Sequence, residues 1–98
     1  MKKRIYISGP ISGTKDYMER FSSAEKKLVE EGYAVLNPAK VNAQMPEGTT
    51  YDEYMEICFT MLKMTDTIFL LRGWRNSCGA QMERRFALEK DYDILYER

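Results

Sequence analysis

Thr67-Ile68-Phe69-Leu70-Leu71 is the stretch that decides the fold. It is an unbroken run of apolar and β-branched residues, too short for a helix and without the polar alternation of a strand that has one wet face. Such a run predicts a central strand of a parallel sheet, buried on both sides. A parallel strand needs a crossover connection before and after it, and helical patterns flank this one. Upstream, Thr50-x-x-Glu53 has the form of a capping box and opens a helix that runs to about Met64. Downstream, Arg72 to Ser77 reads as a loop, followed by a helix from about Ser77 to Lys90 and a short last strand at Ile94-Leu95-Tyr96.

The same alternation continues toward the N-terminus. Arg4-Ile5-Tyr6-Ile7 is a β-rich run ended by Ser8-Gly9-Pro10. Between Asp16 and Glu31, Tyr17, Phe21, Ala24 and Leu28 recur at helical spacing; Asp16 with Glu19 suits the helix start and Gly32 its end. Tyr33-Ala34-Val35-Leu36 forms a second strand stopped by Asn37-Pro38, and Ala39 to Thr49, with Pro46 and Gly48, reads as one long irregular loop. The order β-α-β-loop-α-β-α-β predicts one domain over residues 1–98. Its class is α/β, a three-layer flavodoxin-like or Rossmann-like sandwich on a parallel sheet of about four strands. In such sheets a ligand sits outside the carboxyl ends of the strands. Those ends are Ser8 to Gly13, Asn37-Pro38 and Gly73 to Gly79, where the Gly, Ser, Asn and Pro residues collect.

Composition narrows the chemistry. Lys+Arg and Asp+Glu are 15 each, so no basic excess points to duplex nucleic acid, whereas a free nucleotide needs only a local site. Hydrophobic residues at 44% and charged residues at 31% are ordinary for a soluble domain. No apolar run approaches the roughly 20 residues of a membrane helix, and the basic start Met1-Lys2-Lys3-Arg4 is followed by too short a strand for a signal peptide. Two cysteines, Cys58 and Cys78, form neither a C-x-x-C pair nor a disulfide scaffold, which suits a reducing cytoplasm. There is no histidine. Ser-His-Asp, Cys-His and His-liganded metal chemistry are therefore excluded, and acid–base work falls to carboxylates, Tyr, Lys or Cys. No metal or organic cofactor is expected.

Three segments can carry function. Ser8-Gly9-Pro10-Ile11-Ser12-Gly13 lies between the first strand and first helix, where glycines allow close approach of a phosphate and a helix start favours anions. It matches neither G-x-G-x-x-G nor a P-loop, and a plain turn is the alternative. Gly73-Trp74-Arg75-Asn76-Ser77-Cys78-Gly79-Ala80 repeats the arrangement after the central strand. Trp74 there can stack on a base, or serve as a lid or interface residue. Glu83 shares a helix face with Gly79, Ala80, Phe86 and Ala87, the inward face, and a carboxylate on such a face needs a partner or a task. Tyr6 on the first strand is placed to hydrogen-bond it, or is simply core. The second helix carries Tyr51, Tyr54, Met55, Cys58, Phe59, Met61, Leu62 and Met64, more apolar surface than one buried face requires. A homo-oligomer, a dimer through this helix, is the preferred account and ordinary core packing the alternative.

Taken together the motifs resemble the nucleoside 2-deoxyribosyltransferase superfamily, in particular a short branch found in bacteriophage and bacterial genomes. The resemblance rests on Tyr-Ile-Ser-Gly-Pro-Ile-Ser-Gly at 6–13, Gly-Tyr-x-Val-x-Asn-Pro at 32–38, Tyr-Asp-Glu-Tyr-Met at 51–55, Asp66, and Gly-Trp-x-x-Ser-x-Gly-Ala-x-x-Glu at 73–83. It implies that Glu83 is a nucleophile for the anomeric carbon of a 2′-deoxyribosyl group and that Tyr6 orients it. Ser8, Gly9, Ile11, Ser12, Gly13, Asn37, Trp74, Ser77 and Gly79 are then the substrate-binding set, with Trp74 or an aromatic from the second helix covering the base. Ser77 stands where the transferases have aspartate and the related 2′-deoxynucleoside 5′-phosphate N-hydrolase has serine. With the loop at Gly9 to Gly13, this favours a 5′-monophosphate ligand. Cys58 occupies the position of a second catalytic carboxylate that helps protonate the leaving base in those relatives; Asp52, Glu53 and Glu56 are the neighbouring candidates to replace it. Three functions follow in order of preference: an N-glycosidic hydrolase or deoxyribosyltransferase, a non-catalytic nucleotide-binding or sequestering module, and an oligomeric interaction protein.

Overall fold

The computed structural model describes residues 2–98, so Met1 of the basic N-terminus lies outside the described residues. The strands are β1 (Arg4–Ser8), β2 (Ala34–Leu36), β3 (Thr67–Leu70) and β4 (Asp93–Tyr96), and the helices are α1 (Tyr17–Glu30), α2 (Pro38–Asn42), α3 (Tyr51–Leu62) and α4 (Cys78–Glu89). The four strands form one parallel sheet in the order β2-β1-β3-β4. The apolar run at 67–71 is indeed central: every residue of β3 is buried, and β1 and β4 flank it in register, with Tyr6 opposite Ile68 and Phe69 opposite Leu95.

Alternation along the strands sorts the core into two layers. Ile5, Ile7, Phe69 and Leu71 face one side and pack with Phe21, Ala24 and Leu28 of α1 and Ala39 of α2. Tyr6, Ile68 and Leu70 face the other and pack with Cys58 and Leu62 of α3 and Ala80 and Ala87 of α4. The result is a three-layer, flavodoxin-like sandwich. Among the described residues no helix is long and apolar enough to cross a membrane.

The loop expected from Ala39 to Thr49 begins instead with α2. Asn37 caps it by accepting from the Ala39 amide at 3.0 Å, and Pro38 occupies the first turn, where its missing N–H costs nothing. The capping box at Thr50 and Glu53 is present in both directions, at 3.1 and 2.8 Å. The cap expected at Asp16 is not: its side chain makes no capping bond, and the Arg20 amide bonds to its carbonyl alone.

Gly9 owes its identity to packing. A Cβ there would lie 2.8 Å from the Leu71 Cβ and 2.9 Å from its Cδ1, and Leu71 is fully buried. Gly9→Ala is expected to destabilise the fold by about 1–3 kcal/mol through overpacking. Denaturant titration of the variant checks this, and an unchanged midpoint would show that β1 and β3 can separate at no cost.

Candidate functional site

β1 is joined through α1 to β2 on one side and lies beside β3 on the other, so the winding of the sheet reverses between β1 and β3. The carboxyl ends of strands part at such a point and leave a crevice. Here it is a cavity of about 590 Å³. Its floor is the end of β1, pinned to β3 by the Leu71 amide donating to the Ser8 carbonyl at 2.8 Å. Tyr17 and Phe21 of α1 form one wall, Tyr51, Tyr54 and Met55 of α3 another, and the start of α4 the third.

Glu83 projects from α4 into the floor and is only 5% exposed. Tyr6 and Ser8, two apart on β1 and therefore on one face, both reach it. The Tyr6 hydroxyl donates to Oε2 and the Ser8 hydroxyl to Oε1, each at 2.6 Å. Burial raises the Glu83 pKa to about 7, while the hydrogen bonds from Ser8 and Tyr6 oppose the rise by favouring the ionised form. Burial, and next the Glu83 charge, push the Tyr6 phenol well above its ordinary value, so it remains a donor at neutral pH. The site thus holds a poorly solvated carboxylate, oriented through both oxygens and close to half ionised at neutrality. That is the state of a poised nucleophile or proton acceptor.

Among the described residues Glu83 is the one carboxylate lining the cavity. Asp52, Glu53 and Glu56 are exposed and none lines it; Glu53 is committed to the α3 capping box. Cys58 does line it. The residue is 5% exposed, and the Asn42 amide donates to its Sγ at 3.6 Å. Burial pushes the thiol pKa up, so it stays protonated and uncharged near neutral pH. Among the described residues no three Cys, Asp or Glu side chains converge as metal ligands.

At the start of α4, the Ser77 hydroxyl accepts from the Ala80 amide at 3.2 Å. The amides of Cys78 and Gly79 precede the first intrahelical bond, and Ser77, Cys78 and Gly79 all line the cavity. Hydroxyl, free amides and helix dipole together make this wall receptive to an anion.

The cavity brings together Tyr6, Ser8, Gly9, Ile11, Ser12, Ser77, Gly79 and Glu83 from the residues singled out in the sequence. It does not bring in Trp74, Asn37 or Gly13. The Trp74 indole lies outside, 6.0 Å from the Tyr96 ring and 5.0 and 4.8 Å from the guanidinium carbons of Arg75 and Arg84. Asn37 is turned to structural work, capping α2 and donating to Glu25 at 3.0 Å. Gly13 forms an open turn with φ of 75°. Tyr17, Tyr51, Tyr54 and Met55 also line the cavity, and Tyr51 and Tyr54 of α3 are aromatics of the second helix expected from the sequence, the alternative to Trp74 as cover for a base. The signal for three of them was the apolar surplus of α3, which lines the cavity with Tyr51, Tyr54, Met55 and Cys58 and packs Phe59, Met61 and Leu62 into the core.

Comparison with known families matches residues 3–96 to the family described as "Domain of unknown function (DUF4406)". No curated protein matches the chain.

Proposed function

The chain belongs to the DUF4406 family, and we propose that it breaks the N-glycosidic bond of a 2′-deoxynucleotide, with Glu83 as nucleophile and water or a second base as acceptor. The observation that carries this reading is the lone buried carboxylate, gripped by Tyr6 and Ser8 at the floor of the switch-point cavity. A cavity of about 590 Å³ is of ordinary size for a small-molecule site. Its aromatic walls suit a base, and Ser77 with the Cys78 and Gly79 amides suits a 5′-phosphate. The sequence resemblance to the nucleoside 2-deoxyribosyltransferase superfamily supplies the reaction class.

In the reaction an ionised Glu83 oxygen attacks C1′ and the base departs with the bonding electrons. The glycosyl ester is then opened by the acceptor. Neutral donors at both oxygens keep the carboxylate aligned without an ion pair that would quench its nucleophilicity.

One observation favours a second reading. Retaining glycoside chemistry ordinarily employs a second carboxyl group as acid, and the cavity is lined instead by the neutral Cys58 thiol, which the sequence resemblance aligns with that group. A protein that binds nucleotides without cleaving them is the result if no other group donates the proton. Incubation with a panel of 2′-deoxynucleoside 5′-monophosphates, in parallel with Glu83→Ala, separates the two. Free base from the wild type alone, detected by chromatography with mass detection, is the expected outcome. Thermal stabilisation by the same nucleotides without base release would instead identify a binder.

A further inference from the structure

A carboxylate nucleophile leaves open where the departing base gets its proton, and the cavity narrows the choice. Cys58 is buried and held by Asn42, and Tyr6 is committed to Glu83. Tyr51, the first residue of α3, is 51% exposed and lines the cavity. Its hydroxyl reaches the first turn of α4 because position 79 is glycine: a Cβ there would lie 3.4 Å from the Tyr51 oxygen and 3.2 Å from the Met55 sulfur. Gly79 and Glu83 are four residues apart, hence neighbours on one helix face, about 6 Å apart along the axis. The Tyr51 hydroxyl therefore abuts α4 one helical turn before the residue that carries the nucleophile.

Resting on the N-glycosidic reading of this site, we propose that Tyr51 is the acid–base residue that protonates the leaving base and later activates water. In the first step a Glu83 oxygen forms a bond to C1′ and the C1′–N bond breaks. The base nitrogen takes the electron pair and receives the Tyr51 phenolic proton, leaving a glycosyl ester and a tyrosinate. In the second step a water oxygen bonds C1′, its proton passes to the tyrosinate, and the ester bond breaks to restore the Glu83 carboxylate. The net change is addition of one water across the C–N bond.

Electrostatics couple the two steps. Burial first, and then the nearby Cys78 and Glu83, raise the Tyr51 pKa, so the resting phenol is protonated. Ester formation removes the Glu83 charge, which makes the phenol more acidic as the base needs its proton. Release of the ester restores the charge and returns the proton to Tyr51.

The test uses Tyr51→Phe and two substrates, 2′-deoxyguanosine 5′-monophosphate and its N7-methyl derivative, whose cationic base leaves as a neutral molecule without protonation. General acid assistance is commonly ~10²–10⁴-fold. The variant should lose at least about 10²-fold in kcat on the unmethylated nucleotide and less than about threefold on the methylated one. Equal losses on both, or no loss, overturn the assignment. Absence of release from both nucleotides by the wild type overturns the underlying reading and this one with it. Loss from both in Glu83→Gln, with selective loss in Tyr51→Phe, supports both.

Discussion

Glu83→Gln is expected to raise the melting temperature at pH 8 by roughly 5–15 °C while abolishing base release. The ordinary value of 4.5 and the folded value of about 7 set the pH window. Below about pH 4.5 the carboxyl is protonated in folded and unfolded chains alike, and burial exacts no ionisation cost. As pH rises, the unfolded chain loses this proton first, and the folded chain keeps it until about pH 7. Stability therefore falls by about 1.4 kcal/mol per pH unit across the window, by about 3–4 kcal/mol in total, and then levels off. Glutamine never ionises. Its amide cannot accept from Tyr6 and Ser8 through both terminal atoms, so about 1–2 kcal/mol of that gain should survive, which for a domain of this size is several degrees per kcal/mol. Most of the advantage must vanish at pH 5. A variant that melts below the wild type by the same margin at both pH values would show the carboxylate to be a structural acceptor. The expected pattern marks a group kept for chemistry at the expense of stability.

The fold was legible wherever a local pattern had one solution. The 67–71 run admits only a strand with two covered faces, and all of β3 is buried. Thr50 and Glu53 specify a capped helix start whatever surrounds them. The five residues of α2 are too few to show a period, yet Asn37-Pro38 carries the cap and the first-turn proline that start a helix. In the sequence the pair reads equally as the end of a strand, because the irregular stretch after it shows nothing helical.

The site was legible in part for the same reason. Glu83 could be found because an acidic residue on an inward helix face is anomalous by itself. Trp74 could not be placed, because its position depends on Tyr96 and Arg84, which are distant in sequence or on another element. Gly9 was identified as a site residue and does line the cavity, but its requirement comes from Leu71, 62 positions later. The surplus of apolar residues on α3 was visible, but not how it divides between core and cavity. A surplus says that more than one face is apolar, and only tertiary structure shows that a cavity takes Tyr51, Tyr54 and Met55 while Met64 stays exposed.

Removing both hydroxyls that hold Glu83 should move the pH dependence of the reaction by more than it lowers the ceiling. In the wild type kcat/KM should climb about tenfold per pH unit below the Glu83 pKa of about 7 and flatten above it, since only the ionised form attacks. The hydrogen bonds from Ser8 and Tyr6 are the influences that hold that pKa down against burial. Bonds to a charged group are worth about 1.5–3 kcal/mol each, equivalent to about one to two pH units. In Tyr6→Phe/Ser8→Ala burial is unopposed, and the acidic limb should shift upward by at least about one pH unit. Activity at pH 7 then falls by ~10–100-fold and is largely recovered near pH 9. The single variants should shift it less, and not additively, because the two donors share one carboxylate. A loss of the same size at every pH would mean that the hydroxyls only aim Glu83. A profile that moves would show that this buried carboxylate is kept reactive near neutrality by two uncharged neighbours, in a site where an ion pair would have left it ionised but inert.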